Sequence, residues 1–239
     1  MKFLILFSVF FLSACSEKQS EVKEVLKNDS VSPHKLINIA IVDEATKYLD
    51  VKKVLEAAYK EVGYEIKFSS FPAKRSLYEA QNNENIDAEF GRVKQAEPQL
   101  SNLIRIPVPF MQIKLQAIVR PDFDLRLSNI KDLGKYKCGT KRGSVAVEKM
   151  IESSKGTLYN TAEASIKALK AGRVDVIVLL SQSKDQYLKE LEGVKVVDLP
   201  LEKMNIYHFI NKRHKNLVEG LTKAFIKVTG NQADQSEFE

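Results

Sequence analysis

Arg142-Gly143-Ser144 stands where a strand-like segment gives way to a helical pattern, and it is the chain's best-placed set of hydrogen-bond donors. Gly143 permits close backbone approach, Ser144 can cap a helix, and the N–H groups of Ser144 and Val145 have no intrahelical acceptor. Such a junction either holds an anion, with Arg142 adding charge, or is only a capped helix start. Arg92, near the end of an earlier strand, either grips a ligand carboxylate or pairs with Glu44 or Glu89. Arg75 opens a helix after Phe71-Pro72, where a cation opposes the helix dipole and asks for an acid, from a ligand or from a neighbour. Glu44, just past the first strand, can receive a ligand ammonium or pair with Arg92. Phe71 and Phe110 lie near predicted strand ends and either line a pocket or pack in the core. Glu44, Phe71, Arg75, Arg92, Phe110, Arg142, Ser144 and Val145 are the candidate ligand-binding set; none is expected to be catalytic.

Nucleophilic and metal chemistry have little material to work with. The sequence holds no Gly-x-Ser-x-Gly, no Ser/His/Asp grouping and no phosphate-binding loop. The three histidines, His34, His208 and His214, have no metal spacing with cysteine or with each other. No metal or cofactor is therefore expected. Of the two cysteines, Cys138 sits in a short strand pattern and reads as a buried thiol. The other, Cys15, closes Leu12-Ser13-Ala14-Cys15 directly behind the apolar run Phe3 to Leu12. A spanning helix needs about 20 apolar residues, so this run reads as a signal peptide over 1–14 with a lipobox, cut before a lipidated Cys15. Residues 15–35 are polar and form a tether with a reach of about 25 Å if flexible. The expected location is the periplasm or cell envelope, lipid-anchored to a membrane.

The remaining roughly 200 residues suffice for one large domain or two lobes. Hydrophobic residues make up 44% and charged residues 28%, the composition of an ordinary globule. A net charge of +6 spread among acids does not argue for nucleic acid. Apolar periodicity predicts strand Leu36–Val42, a helix ended by Gly63, strand Tyr64–Phe71, helix Lys74–Asn82, strand Ile86–Val93 and a long β-rich stretch Ile104–Val119. Arg120–Asp124 is the predicted crossing to a second lobe. There the pattern predicts strand Tyr136–Thr140, helix Ser144–Ser153, strand Thr157–Tyr159, helix Ala162–Ala171, strand Val174–Leu180, helix Lys184–Leu191 and strand Val194–Leu199. Strand Asn205–Asn211 and a terminal helix with Leu217, Leu221, Phe225 and Val228 on one face complete the chain, followed by a polar, frayed tail Asn231–Glu239. The expected lobes are 36–120 with 200–239, and 121–199, with a cleft between them.

Three segments resemble the solute-binding protein family 3, the extracytoplasmic receptors of ABC importers: Phe71–Leu77 with Asn85–Val93, Asp132–Ser144, and Ala168-Leu-Lys-Ala-Gly-Arg-Val-Asp175. The resemblance covers about Leu36 to Gly230. It implies an α/β, two-lobe periplasmic-binding-protein-like fold with the second lobe inserted into the first. It also implies a monomer that captures a small polar or anionic solute, amino acid-like or a carboxylate, for an ABC permease. Two positions depart from the amino-acid-binding pattern. Val93–Pro98 lacks the arginine that grips an α-carboxylate, for which Arg92 or Arg75 would substitute, and the position of the ammonium-binding acid falls near Leu180. The alternatives on the same scaffold are an envelope sensor or adaptor that binds a protein partner, and a dehydratase-like enzyme using Glu44 or Glu89 with a nearby lysine.

Overall fold

Strand β1, Lys35–Val42, carries Ile37, Ile39 and Ile41 on one face and Asn38 and Ala40 on the other, and both faces are buried in its centre. A strand apolar on both sides must lie inside a sheet covered by helices. β1 pairs in parallel with β2, Tyr64–Phe71, and with β3, Ala88–Arg92. The computed structural model of the protein describes residues 35–181, 187, 189–200 and 203–234, with Glu44 described in its backbone alone. The predicted signal peptide, Cys15 and all of the tether before Lys35 lie outside the described residues, as does most of the predicted helix Lys184–Leu191. Among the described residues no helix is long and apolar enough to cross a membrane.

Helix α1, Leu49–Glu61, buries Leu55, Ala58 and Tyr59 against the isoleucine face of β1. The last helix, α5 (Val218–Thr229), lies over that face too, burying Leu221, Ala224 and Phe225. Each fully buried isoleucine or leucine there contributes about 1.5–3 kcal/mol. Helix α2, Ala73–Asn82, covers the other face with Leu77 and Ala80 against Ala40. Two strands follow, β4 (Leu103–Arg105) and β5 (Met111–Ile113), and both pair antiparallel with the returning strand β11, Met204–Asn211. The first sheet thus runs β2-β1-β3-β11-β4, with β5 also on β11.

The second sheet is made entirely from the intervening chain, with strands β6 (Leu115–Val119), β7 (Cys138–Lys141), β8 (Thr157–Tyr159), β9 (Val176–Leu180) and β10 (Lys195–Asp198). Their order in the sheet is β10-β6-β9-β7-β8. Period-2 alternation again divides two cores. Val176 and Val178 meet Val147 and Ile151 of the segment around α3 (Val145–Met150), while Ile177 and Leu179 meet Ile166 and Leu169 of α4 (Ala162–Lys170). One sheet is inserted into the other, as expected.

The point of entry differs from the sequence reading. Ile113 pairs with Met204 in the first sheet and Leu115 with Leu180 in the second, so the chain changes sheets at Lys114 and not at Arg120–Asp124. Both strands of the changeover have strong β character, and a single residue between them carries no turn signal. Lys114 binds Asp198 at the end of β10 at 2.7 Å, and Gln116 donates to the same carboxylate at 2.8 Å. The tail also departs from expectation. Asn231 donates to the Pro109 carbonyl at 2.6 Å. The Asp234 N–H donates to Pro107 at 2.7 Å, and its carboxylate accepts from Tyr207 at 2.8 Å and Arg105 at 3.2 Å. Residues 231–234 therefore strap the edge of the first sheet, and 235–239 lie outside the described residues.

Candidate functional site

The parallel strands of both sheets end at one place. Val42 at the end of β1, Arg92 at the end of β3, Lys141 at the end of β7 and Leu180 at the end of β9 all line a cavity of about 160 Å³. The carboxyl ends of parallel strands, where helices begin and side chains diverge, are where an α/β fold leaves room for a ligand. One wall comes from the first sheet, with Phe90, Gly91, Met111, Ile113 and Ile206; the facing wall comes from the second, with Ser144 to Val147, Leu179 and Leu180.

Two glycines set how closely the walls approach. A Cβ on Gly91 would fall 2.7 Å from Ile206 Cγ2 and 2.9 Å from Phe110 Cζ, so β3 and its neighbours close only around a bare backbone. Gly143 has φ +91°, and a Cβ there would fall 2.7 Å from Ala73 Cβ and from the Lys74 backbone nitrogen. The turn before α3 therefore touches the first turn of α2 across the two sheets. Val145 completes this contact by packing into the apolar cluster of Ala40, Leu77 and Tyr207, and Lys149 donates to the Gln95 carbonyl at 3.2 Å.

The buried charge in the walls is internally neutralised. Arg92 is buried and lines the cavity, but its Nε donates to Glu89 at 2.8 Å and its Nη2 to the Ala73 carbonyl at 3.0 Å. Glu89, three residues earlier on the same strand and fully buried, also accepts from Ser76 Oγ at 2.7 Å. Burial pushes the Glu89 carboxyl up, against the pull of the Arg92 guanidinium and the Ser76 hydroxyl. The pairing Arg92–Glu89 is thus the one drawn of the alternatives given by sequence.

The remaining candidates divide. Ser144 and Val145 line the cavity. Ser144 makes no side-chain cap, and the Gly143 N–H beside it is taken by the chain's own Glu148 carboxylate. Arg142 is exposed and lies outside the lining. Arg75 has a side chain 66% exposed, pairs with Glu79 at 2.8 Å and lies outside the lining; the acid its position asked for is supplied four residues on along the same helix. Phe110 stacks edge-on with Phe90 and Phe225 in the core, and Phe71 packs under α2, so neither faces the cavity. The side chain of Glu44 lies outside the described residues, although its neighbour Ala45 lines the cavity. Sequence reasoning missed Met111, Leu179, Leu180, Ala146 and Ile206, whose apolar types are those of any core. Cys138 is buried as expected, its thiol donating to the Leu133 carbonyl at 3.3 Å and held above its usual range by burial.

No family model matches the chain, and no characterised relative matches its sequence. Solved structures do match. A histidine kinase sensor domain with similarity to periplasmic binding proteins superposes with a TM-score of 0.66 at 14% identity, over 82% of this chain and 92% of that one. An ancestral arginine-binding protein bound to glutamine gives 0.62 at 18% identity, over 82% and 94%. An amino acid ABC transporter substrate-binding protein from Streptococcus pneumoniae, bound to L-arginine, gives 0.62 at 18%, over 82% and 89%. The inserted pair of sheets with a cavity at their facing strand ends is the architecture of a periplasmic-binding-protein-like fold. At these identities the likeness establishes the fold of the chain and no more.

Proposed function

We propose that the protein is an extracytoplasmic receptor that captures a small solute between its two sheets, held to a membrane through lipid on Cys15. The observation that carries this reading is the cavity at the carboxyl ends of the parallel strands of both sheets, closed by the contact of Gly143 with Ala73 and Lys74. A solute touching both walls binds only when they are together, so its affinity is coupled to closure. Fold neighbours that bind amino acids, one of them an ABC transporter substrate-binding protein, support solute capture. Binding without chemistry, a monomeric state and delivery to an ABC permease belong to the same proposal.

The expected solute was polar or anionic, gripped by arginines. Arginine grip is not what supports the present reading, because Arg92 is paired with Glu89 and Arg75 and Arg142 lie outside the lining. One observation favours a second reading, in which capture feeds a membrane sensor: the sensor domain among the fold neighbours. A thermal-shift screen of small solutes on the chain from Ser16 onward tests the proposal. A saturable rise in melting temperature without consumption of the compound is expected. Product formation would overturn the reading as a receptor.

A further inference from the structure

The cavity's chemistry points to a ligand class other than the amino acids bound by its fold neighbours. Among the described residues, Arg92 and Lys141 are the only charged side chains that line it, and the rest of the walls are dominated by aliphatic and aromatic groups. Arg92 brings no net charge, since Glu89 lies 2.8 Å from its Nε and is buried with it, and Lys141 is half-buried and not without a partner. Leu179 and Leu180 close the second-sheet wall, Met111, Ile113 and Ile206 the first. A zwitterion entering this space would lose water from two charges and find, among the described residues, no lining carboxylate for its ammonium.

We propose, resting on the reading of the protein as a solute receptor, that this site takes a small, uncharged, mainly apolar molecule with one hydrogen-bond acceptor. The acceptor has a donor in reach. Nε and Nη2 of Arg92 are used, while Nη1 makes no hydrogen bond to another described residue. The size follows from the volume. An engineered apolar cavity of about 150 Å³ in another protein holds benzene, so about 160 Å³ suits a compact molecule of about six to nine heavy atoms. The neutral Glu89–Arg92 pair then serves as a polar anchor that orients the acceptor without demanding a counter-charge. Apolar walls supply most of the affinity by excluding water from the rest of the molecule.

The test uses the full chain and two sets of probes in parallel titration calorimetry: benzyl alcohol and cyclohexanone against L-arginine, L-glutamine and L-histidine. The expected result is one saturable site for the neutral probes, with affinity changing less than about twofold between low and high salt. Two variants keep this tied to the cavity. Ala146→Phe fills the space and is expected to weaken the neutral probes by at least about tenfold. Met111→Ala enlarges it and is expected to favour the bulkier 2-phenylethanol over benzyl alcohol; melting curves of both variants report whether they fold. Amino-acid binding that Ala146→Phe or Glu44→Gln abolishes, with no binding of the neutral probes, would overturn this ligand class and leave the receptor reading standing. Saturable binding by neither set would overturn both. Neutral-probe binding indifferent to both cavity variants would overturn the site assignment.

Discussion

Lowering the pH should unfold this protein through one histidine. His208 on β11 is completely buried; its Nδ1 donates to the Phe90 carbonyl at 3.1 Å and its Nε2 accepts from the Tyr59 hydroxyl at 2.7 Å. The ring also stacks on Phe225 with centroids 5.9 Å apart. Burial pushes its pKa down from 6.5 to about 4, against the pull of the backbone carbonyls beside it. Above pH 6.5 the ring is neutral in the folded and unfolded chain alike, so it adds no pH dependence. As pH falls from 6.5 towards 4, the unfolded chain takes up a proton that the folded chain refuses. Stability is lost at up to about 1.4 kcal/mol per pH unit and the loss levels off below pH 4, reaching about 3 kcal/mol. Other titrating groups add their own slopes, so the assay is a comparison. Urea unfolding of wild type and His208→Gln is measured from pH 7.5 to pH 4. The variant should be less stable at pH 7.5, having lost the stacked ring. The gap should narrow by about 3 kcal/mol on going to pH 4. Parallel stability curves for the two proteins would refute the argument.

Further substitutions test the walls and the edges. Arg92→Ala leaves Glu89 buried without its cation and should cost about 3–5 kcal/mol, whereas Glu89→Gln combined with Arg92→Met should recover most of it, as urea midpoints will show. Gly91→Ala forces a methyl against Ile206 and Phe110 and should cost about 1–3 kcal/mol by the same measurement. Asp234→Ala removes the acceptor of Tyr207 and Arg105 and should lower stability by about 1 kcal/mol, while speeding proteolysis at the C-terminus. Cys15→Ser should abolish incorporation of a labelled fatty acid and release the protein from membranes; retained label would refute lipidation at that residue.

The elements were legible where burial imposes a period. β1, β2 and β11 follow apolar runs of strand type, and α5 follows Leu217, Leu221 and Phe225. The crossing was not legible, because Ile113-Lys114-Leu115 continues a β pattern through a change of partner that only pairing reveals. The site was read for charge, and of its three arginines only Arg92 lines the cavity. Arg75 and Arg92 find their acids four and three residues along the chain, and Glu148 reaches back to the turn at Gly143. Ser144 and Val145 were found because a helix start has a sequence signal. The leucines, isoleucine and methionine that form most of the cavity have none, since the same side chains fill the cores.

Hydrogen exchange on the chain with and without a compound that saturably raises its melting temperature tests solute capture most directly. The backbone amides of Gly91 to Val93 in the first sheet and of Gly143 to Val147 in the second should gain protection together, because one ligand touches both walls. Protection confined to one segment, or found in neither, would contradict capture between the sheets.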